Sequence, residues 1–434
     1  MENDCPPSGQ SVSNSLLIVG ATARAAAQSA RRAGYSVWAA DLFADEDLRA
    51  AATAVQIGAY PHGLIDAVRA APPGDWLYTG ALENHPELLE TLAAERTLLG
   101  NSAEVVRRVR DPFTLAAALS AAEISVPRVA RIEERRAPEC RWLRKRLRSA
   151  GGTQIEFAPS PPAEAADAKP AKRSSHSAAE SAYYAQEFIA GASCSGLFVG
   201  VSNDSAPATA HLLGVTWQLI GRAYAAAQPF QYAGSIGPLT LAAADAQAWN
   251  RVGQALVDAF QLVGLFGVDA IVQSRARSIA IWPVEVNPRY TASVEVLERA
   301  NGFDAIRAHA AACRGAVRAG TGAEGTLGNA PSAGELLRLA AERAGFVASE
   351  SGLFGKLIVY SSRGGVVAPE FSQWAAAQNA GAAWPVVADL PRPLSAIEPA
   401  APIATVFAQG STVQAVEALL LRRAEQVRAG VHPA

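Results

Sequence analysis

Apolar residues in the first hundred positions fall in short runs that stop at a glycine or a turn residue. Leu16 to Val19 forms one such run before Gly20. An alanine- and arginine-rich stretch from Ala21 to Ala33 then has helical character, and Tyr35 to Asp41 forms a second run. Strand, helix and strand in this order predict a βαβ unit with a parallel sheet. Asp75 to Gly80 repeats the strand-to-glycine pattern and Pro86–Glu95 the helix, so residues 14–110 read as a doubly wound, Rossmann-like domain. Farther along, Tyr183–Ile189 predicts a strand and Ala242–Leu262 an amphipathic helix. Phe266–Gln273 and Ser278–Asn287 predict a hairpin around the polar turn Ser274–Arg277. Lys356–Tyr360 and Ala404–Ala408 are later strand-like runs, followed by a helix over Thr412–Arg428. The segment Ala158–Ala182 breaks the pattern: Pro, Ala, Ser and charge predominate, which predicts a mobile loop.

Composition narrows the class. Half of the 434 residues are hydrophobic and 18% are charged, which suits a folded chain that buries a core. With 38 basic against 40 acidic residues the net charge is -2, and no basic excess points to nucleic acid or a membrane surface. No run reaches the roughly 18 apolar residues of a membrane span. The polar start MENDCPPSGQ lacks a signal or transit pattern, so a cytoplasmic location is expected. Cys5, Cys140, Cys194 and Cys313 lie far apart without a CxxC, which argues against a disulfide framework or a cysteine metal site.

Candidate chemistry concentrates in Trp282-Pro-Val-Glu-Val-Asn-Pro-Arg289. Residues two apart on a strand share a face, so Glu285, Asn287 and Arg289 line up if the strand persists through Pro288. The other strand of the hairpin supplies Asp269. Two carboxylates and an amide oxygen suit Mg²⁺, and an adjacent guanidinium suits a phosphate. Taken alone, the element reads more readily as a Glu285–Arg289 salt bridge on a hairpin face. Lys145 sits in a basic strand ahead of Gly151-Gly152, which reads either as a lysine and glycine pair that would let a phosphate approach closely or, equally, as a solvated basic strand followed by a turn. Tyr184-Ala-Gln-Glu-Phe-Ile-Ala-Gly191 is a strand whose extended backbone can pair with a purine edge. Glu83 and Asn84 follow a predicted strand end, where ligands gather in open sheets, or else cap a helix. Gly20-Ala-Thr-Ala-Arg24 with Asp41 downstream lacks the second and third glycines of a dinucleotide fingerprint.

The lysine with its Gly-Gly, then Q-E-F-I-x-G, G-V-D and E-V-N-P-R, in this order, resembles the ATP-grasp superfamily. Within it the chain is most similar to the branch described as predicted ATP-dependent carboligases related to biotin carboxylase. The resemblance covers nearly the whole chain. It implies an α/β architecture: the N-terminal doubly wound domain (14–110), a central ATP-grasp domain (111–320) and a small β-rich C-terminal domain (330–434). The central domain would carry a mobile lid at about 140–185, with the loop 158–182 inside it.

Further, the resemblance implies that Lys145 contacts the phosphates of ATP and that Gly151 and Gly152 belong to the loop over them. Gln186, Glu187, Phe188 and Ile189 would surround adenine. Asp269, Glu285 and Asn287 would hold Mg²⁺ (Mn²⁺ being the alternative), and Arg289 would face the transferred phosphate. The implied activity is an ATP- and Mg²⁺-dependent carboxylate–amine ligase that forms an acyl phosphate from small-molecule substrates. Biosynthesis of pterin- or furan-type one-carbon carriers, of the methanopterin and methanofuran kind, is the implied setting. Biotin-carboxylase-like carboxylation and a catalytically inactive nucleotide-binding scaffold are the alternatives, and a homodimer is common in the group. The chain departs from the family in having Arg110-Asp-Pro-Phe-Thr114, without the early lysine, at the domain junction. It also has Ser193 where an acidic ribose ligand is usual.

Overall fold

The computed structural model describes residues 14–134, 140–159, 182–203, 206–275, 278–321 and 352–433. Most of the loop expected over 158–182 and part of the turn 274–277 lie outside them. Near the N-terminus, β1 (Ser15–Val19), β2 (Ser36–Asp41), β3 (Thr53–Gln56) and β4 (Asp75–Tyr78) form a parallel sheet in the order β3-β2-β1-β4. Helices α1 (Arg24–Arg32), α2 (Glu46–Ala51), α3 (Gly63–Ala70) and α4 (Pro86–Glu95) lie between and after the strands, and α5 (Ala103–Val109) follows. Leu16 and Ile18 enter one core while Leu17 and Val19 enter another. A strand buried on both faces needs an unbroken apolar run, which explains why Leu16–Val19 does not alternate with polar residues. Strand order reverses between β1 and β4, so a crevice opens beyond their C-terminal ends at Gly20 and Gly80.

Helix α6 (Pro112–Ala121) is capped by Asp111, whose carboxylate accepts the Thr114 N–H at 2.7 Å. It leads to a small antiparallel sheet of β5 (Val129–Arg131), β6 (Trp142–Arg146), β7 (Ile155–Phe157) and β8 (Tyr183–Glu187), ordered β5-β8-β6-β7.

The remaining strands are β9 (Ala192–Asn203), β10 (Ala206–Ile220), β11 (Tyr232–Gly237), β12 (Gly264–Arg275), β13 (Ser278–Asn287), β14 (Leu353–Tyr360), β15 (Gly365–Val367), β16 (Val387–Ala388), β17 (Ala396–Ile397), β18 (Pro402–Gly410) and β19 (Val431–His432). Eight of them make one sheet, β13-β12-β9-β10-β11-β14-β18-β16. The C-terminal strands therefore continue the central sheet, through pairing of β11 with β14, instead of closing on themselves. β15, β17 and β19 form a separate small sheet.

Helix α7 (Ala243–Phe260) covers one face of the large sheet through Trp249, Val252, Leu256 and Phe260. The opposite face packs on α8 (Ala292–Asn301) and α9 (Ala305–Thr321), and through them on α1 and β1. Helices α10 (Phe371–Asn379) and α11 (Val413–Ala429) close the core of the C-terminal strands. No helix among the described residues is long and apolar enough to cross a membrane.

Candidate active site

The hairpin β12–β13 pairs Asp269 directly with Glu285, so the two carboxylates stand side by side on adjacent strands. Burial, and then the charge of Glu285, pushes Asp269 up to about 6. Gln218 on β10 donates to Asp269 Oδ1 at 2.8 Å and the Asn287 amide donates to Oδ2 at 3.0 Å. The strand ends at Asn287 and does not run through Pro288. Arg289 nevertheless stays beside Asn287, because its Nη2 folds back to the Asn287 amide oxygen at 3.2 Å.

Arg110 approaches from the junction between α5 and α6. Its Nη1 donates to a Glu285 carboxylate oxygen and, at 3.4 Å, to Asn287 Oδ1, while Nη2 donates to the Ser149 carbonyl at 3.1 Å. A guanidinium therefore occupies the junction that lacks a lysine. The residue was visible in the sequence, yet nothing local marks it, since its partner lies 175 positions away. Lys145 on β6 is buried, and its Nζ donates to Gln186 Oε1 at 3.0 Å across to β8. Burial alone would raise the Glu285 carboxyl, but the charges of Arg110 and Lys145 outweigh it and hold the group below its ordinary value. Arg110, Lys145, Ser149, Tyr184 and Glu285 line one cleft with about 370 Å³ of empty space open to solvent.

Of the four residues expected around adenine, Gln186 is buried against Lys145. Glu187 accepts from the Arg128 side chain at 3.2 Å, and the Phe188 ring packs edge-on against Phe157 with centroids 5.3 Å apart. Ile189 follows β8 and is half-buried. The glycine pair is docked on the body of the molecule. Gly151 accepts the Tyr232 N–H at 2.9 Å, and a Cβ on Gly152, whose φ is +73°, would lie 2.0 Å from the Phe230 carbonyl oxygen. Only glycine fits there.

Glu83 and Asn84 lie on a turn beyond β4, which Ala81 enters with φ 75°. Glu83 is buried, and its Oε1 accepts from Arg289 Nη2 at 2.5 Å; Asn84 is half-buried. The N-terminal sheet and the E-V-N-P-R element thus meet at an ion pair. Gly80 lies against it: a Cβ there would be in ordinary van der Waals contact, 3.5 Å from the Arg289 guanidinium carbon. Glu83 Oε2, Arg289 Nε and Arg110 Nε are buried without a hydrogen-bond partner among the described residues.

The site fits the cation that the family resemblance implies. Two carboxylates and an amide make a hard-oxygen donor set, and Mg²⁺ commonly takes one or two carboxylates together with phosphate and water.

A second group of buried charges was not anticipated. Glu295 on α8 accepts from Arg24 Nη2 at 3.2 Å, Lys356 Nζ at 2.9 Å and Arg299 Nη2 at 3.3 Å. Arg24 in turn pairs with both Asp389 oxygens at 2.8 and 3.0 Å. Burial opposes ionisation of Glu295, but the three cations hold its carboxyl well below the ordinary range. Asp41 is consumed by backbone N–H groups of Ala23 and Phe43 at 3.1 and 3.0 Å, and so is not free to hold a ribose. His309 accepts the Leu265 N–H at 2.8 Å and bonds the Leu99 carbonyl at 3.0 Å, the pattern of a structural imidazole.

Residues 109–293 match the family model of the ATP-grasp domain. No curated protein matches the sequence of this chain. Among solved structures, pyruvate carboxylase from Rhizobium etli superposes with a TM-score of 0.62 at 15% identity, covering 94% of this chain. This chain spans only 37% of that enzyme's length. The L-amino acid ligase from Bacillus licheniformis gives a TM-score of 0.62 at 12% identity, over 95% of this chain and 97% of its own. N5-carboxyaminoimidazole ribonucleotide synthetase from Thermotoga maritima gives 0.56 at 14% identity, over 95% and 98%. Identities this low establish a shared fold. Residues 109–293 of this chain are therefore an ATP-grasp domain, and the chain as a whole has the fold of the ATP-grasp enzymes.

Proposed function

We propose that this protein is an ATP-dependent carboxylate–amine ligase acting on small metabolites. The observation that carries the reading is a cleft lined by Arg110, Lys145 and Glu285, with Asp269, Asn287 and Arg289 joined to it by hydrogen bonds and the Nε atoms of Arg110 and Arg289 without a partner among the described residues. Unpaired buried donors are costly, so they point to an anion that completes them.

In this reading, Lys145 and Arg110 hold the phosphates, and Gly151-Gly152 close over them from the β6–β7 hairpin. Gln186, Glu187, Phe188 and Ile189 surround the adenine. Asp269, Glu285 and Asn287 are the ligands of Mg²⁺, which when bound neutralises phosphate charge. Arg289, next to Asn287 and with no partner for Nε among the described residues, faces the phosphoryl group as the substrate carboxylate takes it to become an acyl phosphate. An amine then displaces phosphate and an amide remains. Positioning and charge neutralisation supply most of the catalysis, because the protein forms no covalent bond itself. The guanidinium of Arg110 stands where the sequence lacks a lysine, which speaks against an inactive scaffold.

The test is phosphate release from Mg-ATP over a panel of carboxylates and amines, for wild type and Glu285→Gln. Release that needs both co-substrates, and is lost in a variant with an unchanged circular dichroism spectrum, supports the ligase. Release with bicarbonate in place of a carboxylate favours the carboxylation reading.

A further inference from the structure

Asp269 is held differently from Glu285, the carboxylate beside it. Glu285 is paired with the guanidinium of Arg110, whereas each Asp269 oxygen accepts from a neutral amide. Asn287 Nδ2 reaches Oδ2 at 3.0 Å from β13, and Gln218 Nε2 reaches Oδ1 at 2.8 Å from β10. The second contact is the less expected one, because β9 runs between β10 and β12. Asp269 lies opposite Ser195 on β9, and Ser195 lies opposite Thr216 on β10. Residues two apart on a strand share a face, so Gln218 stands on that same face, two residues beyond Thr216. Its side chain therefore spans the intervening strand to meet the carboxylate. Ser195, buried and small, leaves that path open.

The choice of donor has consequences for a cation. The last torsion of an aspartate is broad and roughly two-fold, so the side chain does not orient its own carboxylate. Two donors, one on each oxygen, fix its plane. A lysine or arginine in place of Gln218 would also fix it, but would offset the charge that a metal needs. The neutral amide orients the group and leaves that charge intact. Mg²⁺ demands near-ideal octahedral geometry with short bonds, while Ca²⁺ accepts more oxygens, longer bonds and one or both atoms of a carboxylate. A fixed carboxylate suits the first ion and a free one the second. We propose that Gln218 is the positioning residue for Asp269 and that, by fixing this carboxylate, it makes the site select Mg²⁺ over Ca²⁺. The inference rests on the reading of Asp269 as a metal ligand.

Calorimetry of the full chain with AMP-PNP, in excess Mg²⁺, in excess Ca²⁺ and in EDTA, tests this. The proteins are wild type, Gln218→Met, Gln218→Asn and Asp269→Asn. Methionine keeps the length of the side chain without a donor, and asparagine keeps the amide but is too short to cross β9. Either variant suffices should the other fail to fold. Both should leave the affinity in EDTA unchanged and weaken binding in Mg²⁺ by about tenfold, as loss of a partner behind a metal ligand does. Binding in Ca²⁺ should weaken by no more than about threefold, so that the preference for Mg²⁺ narrows. A merely structural role would lower all three affinities together and overturn the inference. So would an unchanged affinity in Mg²⁺, or an equal loss with both metals, when Asp269→Asn does lose the contribution of Mg²⁺. If Asp269→Asn keeps that contribution, Asp269 is not a metal ligand, and the reading of the site falls together with this inference.

Discussion

Two groups of buried charges stand within this fold, and they are finished differently. Around Glu295, three cations converge on one carboxylate, and Arg24 is further clamped by both oxygens of Asp389. Only Arg299 Nε lacks a partner in that group among the described residues. This network ties α1, α8, β14 and the segment around Asp389, so its charges hold parts of the fold to one another. Around Glu285, atoms of Arg110, Arg289 and Glu83 have no partner among the described residues, and a cleft opens beside Arg110 and Glu285. A closed network stabilises structure; an open one waits for a ligand.

That contrast predicts opposite responses to removing the central carboxylate. Glu295→Ala leaves Arg24 and Lys356 buried without their shared partner and should cost about 3–5 kcal/mol in urea denaturation. A loss below about 1 kcal/mol would show that the network contributes little and would remove the contrast. Glu285→Gln should lower phosphate release by about 10²- to 10³-fold. Its unfolding free energy should stay level or rise, since a site built for ligand is not built for stability. Arg110→Lys keeps the charge but loses the fork shared between Glu285, Asn287 and Ser149, and nucleotide affinity should drop about tenfold by calorimetry.

The smallest effect concerns pH. Burial lowers His309 from 6.5 to about 4. The native state therefore refuses a proton that the unfolded chain accepts. The stability involved is fully present above pH 6.5 and is lost as pH falls towards 4, at no more than about 1.4 kcal/mol per pH unit. His309→Gln should flatten that part of a stability–pH curve without changing the pH profile of turnover, which belongs to the other charge group.

Much of this organisation can be read directly from the chain. The run Leu16–Val19 and the two strands of the β12–β13 hairpin are local signals, but Asp269 comes opposite Glu285 only through a register shift between Asp269 and Ala270, without which the turn would set it against Val284. Three features had no such signal. Arg110 gains its meaning only from Glu285, far along the chain, and its sequence neighbours describe a helix cap. The Glu295 network joins residues from position 24 to position 389, none within a motif. Gly152 looks like part of a phosphate loop, whereas the close approach of Phe230 is what demands a glycine there. The C-terminal strands read correctly as strands, but their pairing with β11 is a tertiary choice that no strand pattern encodes.

The central claim is that the open charge group binds Mg-nucleotide, and a thermal-shift titration of wild type and Lys145→Ala with ATP, with and without Mg²⁺, tests it most directly. Nucleotide at about 100 times its dissociation constant should stabilise the wild type by ~2.7 kcal/mol. The account predicts a Mg²⁺-dependent shift in the wild type that disappears in Lys145→Ala. No shift at millimolar nucleotide, or an equal shift in both proteins, would contradict it.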